Sequence, residues 1–367
     1  MGPATFSTVA PAPIPNSTGC AFFAAGEYGR AMQLAVDEGN TLYVLARCGG
    51  APTLFVSSDG GATFGAPIKP DVGSVYTDSS LRKAALLAME AGRVVMTVPA
   101  HWVQGPSSMD GDAILQSWDG GGVWTTPQLR PYTSVYASLG SPFLNGSKTF
   151  AFGRVSGTDI NYYREDNPKT TPTFTGNAST PYHRTGTSLF DRPLGDGGGQ
   201  NFSHGSYSWA SSPPADAAAW ILSTSQTFIS HISTPVGSPV MGSPIYWASS
   251  SFGMTRSFFG QSGGIFGFPW STTKYDFFPV AALVPFSGVG RDSLSAATTA
   301  ARVYVLDAVV SPGELSLYKV DETQTITPRT IPAPGATAAH HLALRDQDAV
   351  LTVWLQDGQI FASVQAF

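Results

Sequence analysis

The chain has 367 residues, with 40 Gly, 28 Pro, 22 Phe, 13 Tyr and 8 Trp but only 12% charged residues, a profile of many short strands closed by many turns. Its 25 acidic and 20 basic residues leave a net charge of -5 without a charge run, which argues against a nucleic-acid or anionic-membrane surface. No run of 18 apolar residues occurs, which excludes a spanning helix.

Low charge with abundant Ser, Thr and Gly suits an extracellular or periplasmic protein. Met1, Gly2, Pro3 and Ala4 lead straight into a short alternating segment, so no signal peptide is read. Either the chain is cytosolic or an initiating Met replaces an export signal. Sequons begin at Asn16, Asn145, Asn177 and Asn201 and are acceptors only on a eukaryotic secretory route.

In chain order, residues 5–9 have the length and alternation of an outer strand. Cys20 and Cys48 bracket the first strands and are a candidate disulfide, with two buried free thiols as the alternative. Residues 32–36, 42–46 and 54–58 read as successive antiparallel strands, with Gly39-Asn40 and Gly49-Gly50 at the turns. A second unit spans 84–89, 94–98 and 113–118, with a loop expected over 101–112. A third spans 135–139, 149–155 and 160–164, and a fourth 207–210, 217–223 and 227–233. Residues 245–284 are rich in Gly and Phe and hard to divide. Strands return at 302–307 with 315–320, and at 349–355 with 359–364.

The third strands centre near Phe55, Leu115, Tyr162, Phe228, Leu317 and Ile360. The 89-residue step from Phe228 to Leu317 is long enough to hide another unit, around 265–275. The expected fold is an all-β single β-propeller over residues 1–367, seven blades favoured over six, with 5–9 closing the last blade beside 361–364. A parallel β-helix or a two-domain sandwich stays open.

The sharpest repeat is Ser57-Ser58-Asp59-Gly60-Gly61-Ala62-Thr63-Phe64, echoed by Ser117-Trp118-Asp119-Gly120-Gly121-Gly122-Val123-Trp124. Both follow an apolar run, and both fit Ser-x-Asp-x-Gly-x-x-aromatic. The carboxylate can accept turn N–H bonds, glycine permits positive φ, and Phe64 or Trp124 anchors the hairpin. The set Ser57, Asp59, Gly61, Phe64 and Ser117, Asp119, Gly121, Trp124 therefore reads as structural.

The two octets resemble the Asp boxes of the sialidase-like (BNR-repeat) propeller superfamily, whose members include glycosidases, glycan-binding proteins and scaffolds. The resemblance implies, for an enzyme, three arginines for a substrate carboxylate, a Tyr–Glu nucleophile pair and an Asp acid near the axis. The family's early Arg-Ile-Pro signature is absent, since Arg30 stands in Tyr28-Gly29-Arg30-Ala31-Met32. Arg164, Arg256, Arg291 and Arg302 are later cationic candidates, and Glu27, Asp37, Asp78, Glu165 and Asp292 candidate acids. No spacing selects a catalytic set among them, so catalytic residues are not assigned.

The six histidines show neither His-x-His nor His-x-x-x-His spacing, so no zinc site is indicated. Residues 191–200 hold Asp191, Asp196 and three consecutive glycines, an oxygen-rich loop that could take calcium but reads better as a plain loop. No cofactor is expected. Aromatics in loop-like settings, with His101, Trp102 and Tyr182 foremost, are candidates to face a ligand, together with Arg164, Arg256 and Arg291. The expected function is a secreted or surface binding propeller directed at glycans or a surface protein. An exo-acting glycoside hydrolase of sialidase-like type and a protein-interaction scaffold are the alternatives.

Overall fold

The computed structural model describes residues 6–23, 33–77, 84–90, 92–131, 313–320, 326–344 and 348–367, and the backbone of the strands between 143 and 311. Among the described residues 27 strands form seven antiparallel sheets, nearly in chain order. Strand β1 (Val9–Pro13) is the exception, because it belongs to the last sheet. The first sheet holds β2 (Cys20–Ala21), β3 (Leu34–Val36), β4 (Leu42–Cys48) and β5 (Ala51–Ser57). The second holds β6 (Ala85–Ala88), β7 (Val94–Gln104), β8 (Ser107–Ser117) and β9 (Gln128–Pro131). The third holds β10 (Phe143–Asn145), β11 (Thr149–Ser156), β12 (Asp159–Glu165) and β13 (Phe174–Thr175). Three strands, β14 (Phe202–Trp209), β15 (Asp216–Ser223) and β16 (Phe228–Pro235), make the fourth. The fifth comprises β17 (Ile245–Ser249), β18 (Met254–Gln261), β19 (Gly264–Ser271) and β20 (Val280–Val284). The sixth comprises β21 (Leu294–Thr299), β22 (Arg302–Ser311), β23 (Glu314–Val320) and β24 (Ile326–Pro332). In the seventh, β25 (Ala338–Leu344), β26 (Ala349–Gln356) and β27 (Gln359–Ala366) are completed by β1.

The first strands of the sheets lie against one another. β3 packs beside β6 and β25, β10 beside β14, and β21 beside β17 and β25. Sheets whose leading strands meet around a centre are arranged as the blades of a propeller.

The first and last sheets are buried on both faces, and the two-residue period of a strand decides which neighbour each side chain meets. On β4, Leu42, Val44 and Ala46 pack with Leu351 and Val353 of β26, on the last sheet. The alternate residues Tyr43 and Leu45 pack with Leu86, Met96 and Leu115 of the second. On β26, Val350 and Trp354 turn the other way, onto Leu315, Leu317 and Ile331 of the sixth. Burial on both sides explains why these strands read as nearly continuous apolar runs.

Three expectations are corrected. The closing strand is Val9–Pro13, not 5–9, and pairs Val9 with Val364 and Pro13 with Phe361. Pro11 and Pro13 lack an N–H, so they fit the outermost strand. The supposed loop 101–112 is instead the outer half of the long hairpin β7–β8. The unit expected at 265–275 is a full sheet beginning at Ile245 and ending at Val284; its third strand contains Gly264, Gly267 and Pro269, residue types that imitate turn signals. The strand expected at 135–139 lies outside the described residues.

The chain entering from β1 first follows the last sheet. Ile14 N–H donates to Ile360 O (2.7 Å) and Gly19 N–H to Gly358 O (2.8 Å), while Ser17 Oγ accepts from Ile360 N–H (3.0 Å). It then crosses to the first sheet, where Cys20 lies opposite Cys48 and is joined to it as a disulfide. The cross-link thus lies where the last and first sheets meet. Closing a 28-residue separation predicts a stabilisation of about 3 kcal/mol. Calorimetric melts with and without reductant should show a lower Tm on reduction, and an unchanged Tm would mean that the bond does not hold the junction.

Candidate functional site

An antiparallel sheet traversed strand by strand has two unlike ends. Turns between strands one and two, and between three and four, fall at one rim. The turn between strands two and three, and the crossing to the next sheet, fall at the other. The two Ser-x-Asp turns follow β5 and β8, the third strands of the meanders β3–β4–β5 and β6–β7–β8, and so belong to the first rim, whereas the tip of β7–β8 belongs to the second.

At the first rim the repeated octets form two nearly identical bonded turns. Ser57 Oγ donates to Asp59 Oδ1 (2.8 Å) and accepts from Gly61 N–H (2.9 Å), while Asp59 also accepts from Thr63 N–H (2.9 Å) and the Thr63 hydroxyl. Ser117 Oγ donates to Asp119 Oδ1 (2.7 Å) and accepts from Gly121 N–H (2.8 Å), and Val123 N–H donates to Asp119 (2.8 Å). Gly61 and Gly121 have φ of 92° and 100°. A Cβ on Gly61 would come within 2.7 Å of Val364 on the last sheet, and one on Gly121 within 2.9 Å of Leu54 on the first. Each turn is therefore seated on the preceding sheet. Phe64 is buried in the core between last and first sheets, and Trp124 packs on the core between first and second.

The aspartates of these turns are exposed, and the serines are 1% and 0% exposed. Burial pushes the Asp59 carboxyl up, but the bonds from Thr63 and Ser57 outweigh it and hold it below the usual range. The Val123 N–H, then the Ser117 hydroxyl, lower that of Asp119.

Asp37, a candidate acid in the sequence, is 1% exposed at the turn between β3 and β4. Its Oδ1 accepts from Thr41 N–H (2.9 Å), and its Oδ2 from the Tyr43 hydroxyl (2.9 Å) and Gly92 N–H (2.9 Å). Gly92 O in turn accepts from Gly120 N–H (2.8 Å). Asp37 thus joins the first sheet to the second. Burial, then the Asp37 carboxylate, raise the Tyr43 phenol above its ordinary pKa.

At the second rim, β7 and β8 run eleven residues each and turn at Gly105-Pro106, where Gly105 takes φ of 62°. β9 reaches only Gly111 along β8, and β6 only Thr97 along β7. Beyond them the hairpin stands clear, and alternate residues serve opposite faces. Trp102 is half-buried and packs on the second-sheet core with Tyr76 and Leu129. A Cβ on Gly111 would collide with the Arg130 carbonyl oxygen and stand 2.6 Å from the Trp102 ring, so a glycine is needed beneath that indole.

The other face carries His101, Val103, Ser108 and Asp110, all exposed. His101 is directly opposite Asp110, and Val103 opposite Ser108. His101 Nδ1 lies 2.9 Å from Asp110 Oδ1, and His101 Nε2 3.0 Å from Ser108 Oγ. His101 and Trp102, expected side by side in a ligand-facing loop, are therefore turned to opposite faces. Ser108 and Asp110 were missed. Strand alternation about the Gly105-Pro106 turn was the signal that could have found them.

Arg164 lies near the end of β12 and Arg256 near the start of β18; both strand ends belong to the rim of the Ser-x-Asp turns. The structure does not bring them to the hairpin tip. Arg302 opens β22 opposite Thr299, and Glu165 ends β12 opposite Phe174. Tyr182, Arg291, Arg30, Glu27, Asp78, Asp292 and the 191–200 loop lie outside the described residues. Among the described residues no group of three or more His, Cys, Asp or Glu could hold a metal ion, and no helix is long and apolar enough to cross a membrane.

Ser57→Ala and Ser117→Ala should each destabilise the fold by about 1–3 kcal/mol, because each leaves a buried glycine N–H unbonded. Asp59→Ala and Asp119→Ala should lower Tm less. The two carboxyls titrate lower folded than unfolded, so their contribution is full above the ordinary carboxylate pKa and is lost as pH falls through the folded value. Replacing both should flatten the dependence of Tm on pH below about pH 4. Thermal melts of the four variants across pH check the order, and aspartate variants less stable than serine variants would contradict it.

No family model and no curated protein matches the chain. Solved structures do. An ulvan lyase described as a new family of polysaccharide lyase, bound to -[GlcA(1-4)Rha3S]-, aligns at TM-score 0.57 and 12% identity over 93% of this chain and 94% of that one. The Dos1 propeller aligns at TM-score 0.51 and 10% identity over 97% and 94%. A Streptococcus pneumoniae sialidase, NanB, is more distant, at TM-score 0.46 and 11% identity over 96% and 71%. At these identities the likeness shows the fold alone and does not single out the sialidase-like superfamily. The chain has a β-propeller-like fold.

Proposed function

We propose that the chain is a seven-bladed propeller that binds carbohydrate outside the cytoplasm, at the rim bearing the β7–β8 hairpin. The seven sheets and the closing strand β1 support the blade count. The bonding of the two octets supports reading them as Asp boxes, with a structural duty. The disulfide accords with an oxidising compartment.

The observation that carries the binding reading is the outer face of the hairpin. Val103 is 71% exposed and is bordered by the polar groups of His101, Ser108 and Asp110. An apolar spot among hydrogen-bonding groups matches a sugar ring, which presents C–H surface edged by hydroxyls. In isothermal titration across a glycan panel, His101→Ala and Val103→Asp should weaken the best ligand about tenfold, or roughly 1.4 kcal/mol. No saturable binding by folded protein across the panel would remove the glycan assignment.

A sialidase activity is not expected. A carboxylated sugar needs concentrated positive charge beside acids in separate protonation roles, and Arg164 and Arg256 occupy strand ends at the opposite rim. A fluorogenic sialoside assayed from pH 4 to 8 should show no turnover. Turnover lost on replacing Arg164, Arg256 or Arg291 by Ala would reverse this reading.

A further inference from the structure

We propose that Ser108, His101 and Asp110 form a hydrolytic relay for short-chain carboxylic esters, with Ser108 as the nucleophile. The three side chains share one face of the hairpin and are bonded in sequence, Ser108 Oγ to His101 Nε2 at 3.0 Å and His101 Nδ1 to Asp110 Oδ1 at 2.9 Å. An ionised carboxylate can only accept a hydrogen bond, so Nδ1 carries the hydrogen of the neutral ring. Nε2 is then the acceptor for the Ser108 hydroxyl. That is the order a nucleophile, its base and the group that orients the base require.

The backbone holds this order in place. His101 and Asp110 are cross-strand partners, and Ser108 lies on the strand of Asp110, two residues nearer the turn. The opposite face is fixed by Trp102, seated over Gly111 and against the second-sheet core. The reacting face is open to an incoming ester, with the His101 and Asp110 side chains 49% and 55% exposed.

In the first step Ser108 Oγ bonds to the acyl carbon and its proton passes to His101 Nε2. The tetrahedral adduct then breaks its bond to the alcohol oxygen, which leaves with the proton from Nε2, so acyl-Ser108 and free alcohol result. Water adds to the acyl carbon as Nε2 takes its proton. The bond to Ser108 breaks, the proton returns to Oγ, and the carboxylic acid departs. Solvent surrounds the developing oxyanion, which limits the relay to esters, whose leaving group departs more readily than an amine. The chemistry needs only the acyl group, so it stands or falls independently of carbohydrate binding.

The test uses the full chain with a fluorophosphonate probe and with p-nitrophenyl acetate. The probe should attach to Ser108, located by peptide mass mapping, and Ser108→Ala should abolish the adduct. His101→Ala should slow ester turnover about 100-fold or more, and Asp110→Asn should slow it while leaving the melt within about a degree of the parent. Absence of a Ser108 adduct on the unaltered chain overturns the proposal, whatever the variants do. So does equal p-nitrophenyl acetate turnover by the parent and a folded Ser108→Ala variant.

Discussion

Burial of the first and last sheets on both faces, each between two neighbouring sheets, is the constraint on which the described structure depends. Leu42 and Val44 need the last sheet, while Tyr43 and Leu45, between them on the same strand, need the second. Burying one large aliphatic side chain contributes about 1.5–3 kcal/mol, so a sheet missing one neighbour loses several such contributions together. The sheets are stable as a closed set. This makes the seam between last and first sheets decisive, and the two ends of the chain build it: Phe6 and Ile14 share one core with Ile360 and Val364. Joining ends so far apart costs entropy that grows only logarithmically with length, which the strand pairing of β1 with β27 and the core beneath it can offset. The disulfide acts at the same place, by restricting the unfolded chain.

The same topology separates support from display. At one rim Asp37 binds Gly92, Gly92 binds Gly120, and Gly120 opens the bend that Ser117 and Asp119 hold. Side chains and backbone amides there are consumed in bonds within the turns and, at Asp37 and Gly92, between adjacent sheets. Closing turns at that rim leaves the other free to carry longer excursions, because the second-to-third turn can lengthen without disturbing a neighbour. The β7–β8 hairpin uses that freedom, running past β6 and β9 before it turns.

Much of this was legible because burial on two faces produces apolar runs with turns between them, as in 42–46 and 94–98. The octets at Ser57 and Ser117 were legible for a local reason, since a complete bonded turn lies within eight consecutive residues. Legibility fails where strand residues imitate turns. Gly264, Gly267 and Pro269 sit inside β19, and Pro11 and Pro13 inside β1, which is possible because an outer strand leaves N–H positions unused. The polar stretch from His101 to Asp112 read as a loop for a related reason: outside the sheet stack, strands need no apolar run. The eight residues of the two turns read alike as structural, yet within each bonded pair the buried member is the serine and the exposed one the aspartate, and sequence does not report which atom of a bonded pair faces water.

A two-stranded hairpin is marginal in water by itself, so its outer half requires an anchor. Tyr76 bridges to Ala100, and Trp102 reaches across Gly111 to the core. These contacts occupy one face and leave the alternate residues, His101, Val103, Ser108 and Asp110, unburdened by packing. Register decides this division, because a slip of one residue would turn Trp102 outward and His101 onto the core. In a two-residue hairpin loop the register follows from the turn, and a positive φ at its first central position favours glycine. Gly105, with its positive φ, therefore governs which side chains meet solvent at the tip.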